Sequence, residues 1–270
     1  MKERIITAAI AIPLLLLLLL VAPSIVTAVI FSLLLGIGAY ELMYSTGLVR
    51  HGRLVLYSVV MAVAVGMWSY FGAQRSWAML GILVFAVFLF SELMMNHIKV
   101  RFEMLAISFF AGVIMPYLLS ALIRIFVMII GREVILLPFI ITFLSDGGAY
   151  FVGIKFGKHK LAPVVSPNKT VEGMLGGIAA ATIGVMLYAL LMRFAMDFRV
   201  NFAMAFIYGL AGSVAGVFGD LCFSAIKRQT GIKDYGHLLP GHGGGLDRFD
   251  SMLTVAPLIE ALLILAPLAV

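Results

Sequence analysis

The sequence predicts an all-α, polytopic integral membrane protein of about nine transmembrane helices, folded as a single membrane domain over residues 1–270. Three observations lead there. Apolar residues fill 63% of the positions and charged residues only 12%, about half the charged share of an ordinary soluble domain. The apolar residues come in runs close to the ~20 that a helix needs to cross the hydrocarbon layer. No stretch is both long enough and polar enough to form a separate soluble domain. Within this domain, residues 1–130 read as a helical scaffold, and 131–270 as helices and cytoplasmic loops that carry a site.

Taken in order, the N-terminal MKERIITAAIAIPLLLLLLLVAPS has the layout of a signal peptide: charges, an apolar run, then small residues. Its apolar run is near full membrane length and further spans follow, so it is read as an uncleaved first helix over 5–22. The remaining spans are expected at 24–46, 54–73, 77–95, 102–123, 133–156, 171–192, 202–223 and 251–270. Pro23 sits in the short turn between the first two. Glu41, Glu92 and Glu260 lie near span ends, where a carboxylate can reach the interface or bond another helix. Cys222, the single cysteine, excludes an intrachain disulfide and a cysteine metal cluster.

The net charge of +6 reports topology rather than nucleic-acid binding in so apolar a chain. With the N-terminus and every second loop on one side, that side holds fourteen of the 19 Lys and Arg residues and the other side five. The excess of positive charge makes the richer side cytoplasmic, and it places loops 157–170 and 224–250 there. The same basic residues can attract anionic membrane lipids.

Two polar constellations interrupt the apolar pattern. The first, TFLSDGGAYFVGIKFGKHKLAPVVSPNKTVEG, covers 142–173. Asp146 falls deep in the sixth span, where a carboxylate is costly unless paired, hydrated or bound to a cation. Asp146, Tyr150, Gly153 and Gly157 share one helix face, and the glycines allow another backbone to come close. In SPNKTVEG, Pro167 and Asn168 suggest a turn and Thr170 a helix cap, with Ser166 and Glu172 near the same helix start. Lys169 then stands beside a helix N-terminus, a place that favours phosphate.

The second constellation, 220–250, holds eight of the chain's 32 charged residues in 31 positions. Asp220, Ser224 and Lys227 lie at i, i+4 and i+7 of one helix, and so on one face. Gly231 suits a helix end. The run LLPGHGGG is too rich in Gly and Pro to be regular, and its open backbone suits an anion. Asp247 and Asp250, three apart, are expected on one face at the start of the last helix. Carboxylates suit Mg²⁺, and lysine and arginine suit phosphate, so the combination points to phosphoryl or nucleotidyl transfer.

The run from Ser224 to Asp250, SAIKRQTGIKDYGHLLPGHGGGLDRFD, closely resembles the signature of the phosphatidate cytidylyltransferases, also called CDP-diacylglycerol synthases. The segment from Asp146 to Gly173 resembles that family's second recurring region. One position departs: Gly245 stands where the signature has a large apolar residue, which bears on loop packing more than on chemistry.

The resemblance implies a transferase of phospholipid biosynthesis in the inner cell membrane. It would convert CTP and phosphatidic acid to CDP-diacylglycerol and pyrophosphate with Mg²⁺, and a second cation is compatible with so many carboxylates. By position, Asp220, Asp247 and Asp250 are the expected metal ligands and, with Lys227, the catalytic set. Asp146, Ser166, Lys169, Glu172, Ser224, Arg228, Lys233, Asp234, His242 and Arg248 are the expected substrate-binding residues. A homodimer is a further implication. The alternative is an ion-coupled transporter using Asp146 and Asp220 as intramembrane ion sites; it predicts an inverted repeat, which the sequence does not show. A CDP-alcohol phosphotransferase fits less well still, because the arginine and the downstream pair of four-spaced aspartates expected after Asp146-Gly147 are missing.

Overall fold

A computed structural model describes residues 2–72, 75–236 and 243–269 of the chain, and side chains in all of these except 2–10 and 75. Helices dominate: α1 (Lys2–Leu20), α2 (Ser24–Tyr40), α3 (Gly52–Phe71), α4 (Arg75–Met95), α5 (Phe102–Phe109), α6 (Met115–Leu119), α7 (Ala121–Phe126), α8 (Gly131–Val134), α9 (Leu136–Phe156), α10 (Val171–Phe194), α11 (Phe202–Gln229), α12 (Leu246–Phe249) and α13 (Met252–Leu265). Two single π turns, Glu41–Ser45 and Phe110–Ile114, extend α2 and join α5 to α6. Seven helical stretches among the described residues are long and apolar enough to cross a membrane. The chain is an all-α, multi-pass membrane protein.

The expected count of nine spans is not reached by length alone. α1 is 19 residues long, whereas Met252–Leu265 is a shorter apolar helix. The last expected span, 251–270, stops early because Pro267 follows α13. The chain beyond it turns back: Asn201 N–H donates to Leu268 O at 2.9 Å, and Val200 pairs with Ala269 in an isolated bridge. A helix of 14 residues measures about 21 Å, short of the ~30 Å hydrocarbon layer.

The described residues form two compact units, one of Met1–Met128 with Gln229–Phe249 and one of Ile129–Arg228 with Asp250–Val270. The sequence placed all of 131–270 together; in the structure the loop Gln229–Phe249 groups with the N-terminal helices.

In the first unit, α2 and α3 pack through small residues. A side chain at Gly36 would meet Val63 Cγ2 at 2.8 Å, and one at Gly66 would overlap Ser32. Glu92 on α4 is buried and collects Arg53 Nη1 (3.2 Å), Tyr57 Oη (3.3 Å), His51 Nε2 (3.1 Å) and Asn96 Nδ2 (3.0 Å). Thus a span-end carboxylate does tie one helix to another, as the sequence suggested.

The second unit is built on α9 and α10, which lie backbone to backbone. A Cβ at Gly148 would sit 2.9 Å from Gly176 O, one at Gly173 would sit 2.8 Å from Ala149 O, and one at Gly177 would sit 2.5 Å from Ser145 O. The GMLGG run is therefore an interface, as its composition implied. α11 presents Gly209, Gly212, Gly216 and Gly219 along one face, to Thr182, Ile141, Val255 and Asp250 in turn. Between α9 and α10 the chain forms a hairpin that an all-α reading omits, β1 (Lys160–Ala162) antiparallel to β2 (Ser166–Thr170), with Lys160 opposite Thr170 and Ala162 opposite Ser166. Pro167 is tolerated because a two-stranded sheet consists only of edges.

Gly177→Ala should destabilise the protein by about 1–3 kcal/mol, because the new methyl group meets fixed backbone. Gly147→Ala, where nothing lies within 4 Å, should leave stability unchanged or slightly raised. Thermal unfolding in detergent micelles measures both; equal effects would refute the close packing of α9 on α10.

Candidate active site

The second unit gathers most of the expected site residues around the surface end of α11. Its 28 residues continue without a break from the apolar interior to Lys227 and Arg228. Helical periodicity puts Asp220, Ser224 and Lys227 on one face. Ser224 Oγ donates to Asp220 Oδ1 at 3.2 Å, which fixes that carboxylate against its own helix. Lys169, at the end of β2, donates its ammonium to Asp220 Oδ2. Lys227 Nζ lies 3.8 Å from Asp250 Oδ2. The backbone of Asp250 is close as well, since a Cβ at Gly219 would stand 2.9 Å from Asp250 O. Two carboxylates and two ammonium groups thus share one region, each side chain less than a third exposed. Burial pushes the Lys169 ammonium below its ordinary value, while Asp146 and Asp250 pull it back up and Lys227 adds to the lowering.

Lys169 owes its place to the hairpin and to the cap that follows. Thr170 Oγ1 accepts from Gly173 N–H at 3.1 Å at the start of α10, the cap expected from the sequence. Arg228 Nε donates to Val165 O at 3.2 Å, tying the end of α11 to the hairpin turn. Glu172, in the first turn of α10, also braces the hairpin. Its Oε2 accepts from Lys158 N–H (3.0 Å) and His159 N–H (3.2 Å), so it fastens the approach to β1.

Beside the cluster is a cavity of about 290 Å³, whose lining includes Asp146, Tyr150, Ser166, Lys169 and Met174. Three expected substrate-binding residues, Asp146, Ser166 and Lys169, therefore face one space. Its walls join apolar helix surface to the lysine, a combination suited to an amphiphile with an anionic head.

The first unit holds the remainder. Asp247 on α12 is buried, and its Oδ2 accepts from Tyr235 N–H (2.8 Å) and Gly244 N–H (2.9 Å). Glu41, from the π turn after α2, accepts Gly245 N–H at 3.0 Å on Oε1 and Leu246 N–H at 2.7 Å on Oε2. The glycine-rich backbone was expected to turn its N–H groups to a bound anion; those of Gly244 and Gly245 are instead given to the chain's own carboxylates. Gly243 adopts φ +83°, a left-handed conformation natural to glycine. Lys233, Asp234 and Arg248 are exposed, and His242 and His237 lie outside the described residues.

Asp247 and Asp250 do not share the start of one helix. α12 is a single turn, Asp250 Oδ1 accepts Ser251 N–H at 2.8 Å, and α13 begins at Met252. That local bond competes with the helical pattern and separates the two helices.

No group of three or more His, Cys, Asp or Glu side chains forms a ready-made metal cage among the described residues. The donors in the second unit, the carboxylates of Asp220 and Asp250 and the Ser224 hydroxyl, are nevertheless all hard oxygens. This set fits Mg²⁺, which takes one or two carboxylates and fills its shell with water and substrate phosphate.

A model of the cytidylyltransferase family matches residues 2–266. The chain belongs to the cytidylyltransferase family. Its relatives within and around this family include proteins named phosphatidate cytidylyltransferase from Staphylococcus haemolyticus, 46% identical, Staphylococcus epidermidis, 47% identical, and Staphylococcus aureus, 48% identical, each over 134 residues. The matched stretch covers 50% of this cytidylyltransferase-family chain and 50% of each relative, so the chain spans about half the length of the curated relatives it matches.

Thr170→Ala should cost about 1 kcal/mol through loss of the α10 cap. Thr170→Ser, which keeps the acceptor oxygen, should recover most of it. Chemical or thermal unfolding of the two variants checks this, and equal losses would remove the cap from the account.

Proposed function

We propose that this protein transfers the cytidylyl group of CTP to phosphatidic acid, giving CDP-diacylglycerol and pyrophosphate. The observation that carries this reading is the cluster of Lys169, Asp220, Lys227 and Asp250 at the surface end of α11, beside the cavity lined by Asp146, Ser166 and Lys169. The family membership and the relatives' names support the same reaction.

In the proposed step, an oxygen of the lipid phosphate attacks the α-phosphorus of CTP. A new P–O bond forms there, the bond from that phosphorus to the bridging oxygen of the β-phosphate breaks, and pyrophosphate leaves. The attacking oxygen is already anionic, so the step needs no general base. Lys169 and Lys227 hold their ammonium groups ready: each already faces a carboxylate, and incoming phosphate oxygens would take over part of that pairing. Negative charge accumulates on the phosphates as the bond order changes, and fixed ammonium groups stabilise it without reorganisation. Asp220 and Asp250, with Ser224 orienting Asp220, would hold Mg²⁺, which supplies charge neutralisation to the phosphates when bound. Ser166 offers a hydroxyl to the lipid phosphate or nucleotide, and Arg228 acts through the hairpin it holds.

Apolar walls let the acyl chains stay among helices, since moving them into water costs about 0.8 kcal/mol per CH₂. The distribution of fourteen basic residues against five supports an N-terminus and site loops on the cytoplasmic face of the inner membrane. Nothing observed favours the transporter alternative.

The reaction is tested with purified protein in micelles containing phosphatidic acid and CTP labelled in the cytidine. Mg²⁺-dependent transfer of label into lipid, with release of pyrophosphate, is the expected result; folded protein that moves no label would refute the proposal. Lys169→Ala and Asp250→Asn should each reduce turnover about 10²-fold or more. Asp250→Asn should also raise the Mg²⁺ concentration needed for half-maximal rate. A folded Asp250→Asn protein with wild-type Mg²⁺ dependence would remove that residue from the metal assignment.

A further inference from the structure

Glu41 takes no part in the step above, yet it is only 4% exposed and is bound to the loop that carries Asp247 and Arg248. We infer that Glu41 is a positioning residue for this loop: its carboxylate sets the backbone of 244–246, and through it the placement of Asp247 and Arg248. The inference rests on the function proposed above, together with the roles that the signature resemblance implies for Asp247, a metal ligand, and Arg248, a substrate-binding residue.

The geometry is specific. Three consecutive N–H groups end on carboxylates: Gly244 on Asp247, and Gly245 and Leu246 on the two oxygens of Glu41. Asp247 Oδ2 also takes Tyr235 N–H, so Glu41 and Asp247 together clamp both arms of the loop. The loop is shaped to admit Glu41. A side chain at Gly236 would overlap its carboxylate, and one at Gly244 would come within 2.6 and 2.7 Å of its two oxygens. Gly245, the departure from the family signature, donates directly to Glu41 Oε1.

Apolar packing already anchors this segment, since Leu246 is 2% exposed and lines one apolar space together with Phe31, Leu35, Gly38 and Leu122. A buried leucine fixes depth but not the direction of the neighbouring peptide planes. Two hydrogen bonds to one rigid carboxylate fix that direction, and burial makes each bond costly to leave unmade. The π turn supplies the offset, because such turns interrupt helical register and recur at functional positions.

The test compares wild type with Glu41→Gln and Glu41→Asp in the full-length protein. Glutamine keeps one acceptor oxygen but turns an NH₂ toward a backbone N–H. Turnover per folded molecule should fall ten- to a hundredfold, the scale of a misplaced reacting group. Hydrogen–deuterium exchange in peptides covering 243–249 should accelerate while that of α9 and α10 stays unchanged. Glu41→Asp keeps both acceptors, set back by one methylene, and should recover part of the turnover and of the protection. A purely structural role would lower the melting temperature and the folded fraction but leave turnover per folded molecule at the wild-type value, and that result overturns the inference. Should Glu41→Gln fail to fold, Glu41→Asp decides alone: wild-type turnover or wild-type exchange over 243–249 refutes it. If wild-type protein transfers no label, the proposed reaction fails, while the exchange comparison still decides whether Glu41 holds the loop.

Discussion

A carboxylate withdrawn from water beside a membrane keeps its charge only if ammonium, guanidinium or N–H groups replace the lost hydration. This demand organises the polar part of the chain. Asp220 is answered by Lys169 and Ser224, Asp250 by Lys227 and Ser251, Asp247 by the N–H groups of Tyr235 and Gly244, and Glu41 by those of Gly245 and Leu246. Glu92 is answered by Arg53, Tyr57 and Asn96. The first pairs can exchange partners with incoming phosphate and suit chemistry. The backbone-bonded carboxylates in addition hold a loop in shape.

Glycine serves these pairings in two different ways. On α9, α10 and α11 it removes side chains so that helix backbones meet, and the helices bearing Asp146, Asp220 and the α10 cap become one packed body within the second unit. At Gly236, Gly243 and Gly244 its task is to make room for carboxylates. Gly236 and Gly244 border Glu41, and a Cβ at Gly243 would stand 2.9 Å from Asp247 Oδ2.

Features set by local periodicity were legible in the sequence. The helical spans follow from apolar runs, the Thr170 cap from its place before an apolar stretch, and the Asp220–Ser224–Lys227 face from spacings of four and three. The hairpin was not legible, because strands of three and five residues carry too little alternation and Pro167-Asn168 reads as a turn. The separation of α12 from α13 depends on one side-chain bond from Asp250, which no periodicity announces. Glu41 was visible as a charge in an apolar run, but its partner lies 204 residues away, and neither spacing nor composition joins the two. The Lys169–Asp220 pair, 51 residues apart, is hidden for the same reason, although each residue stands out singly in the sequence.

The uninterrupted length of α11 also bears on how such a protein can vary. Its 28 residues form a rod of about 42 Å on which Asp220, Ser224 and Lys227 hold fixed angular positions. Adding or deleting one residue between them would swing Lys227 about 100° around the rod, away from Asp250. Length change in this helix is therefore barred by rotation rather than by space. Exchange of side chains at constant spacing leaves these angles intact, while the connecting segments can change length without turning the rod.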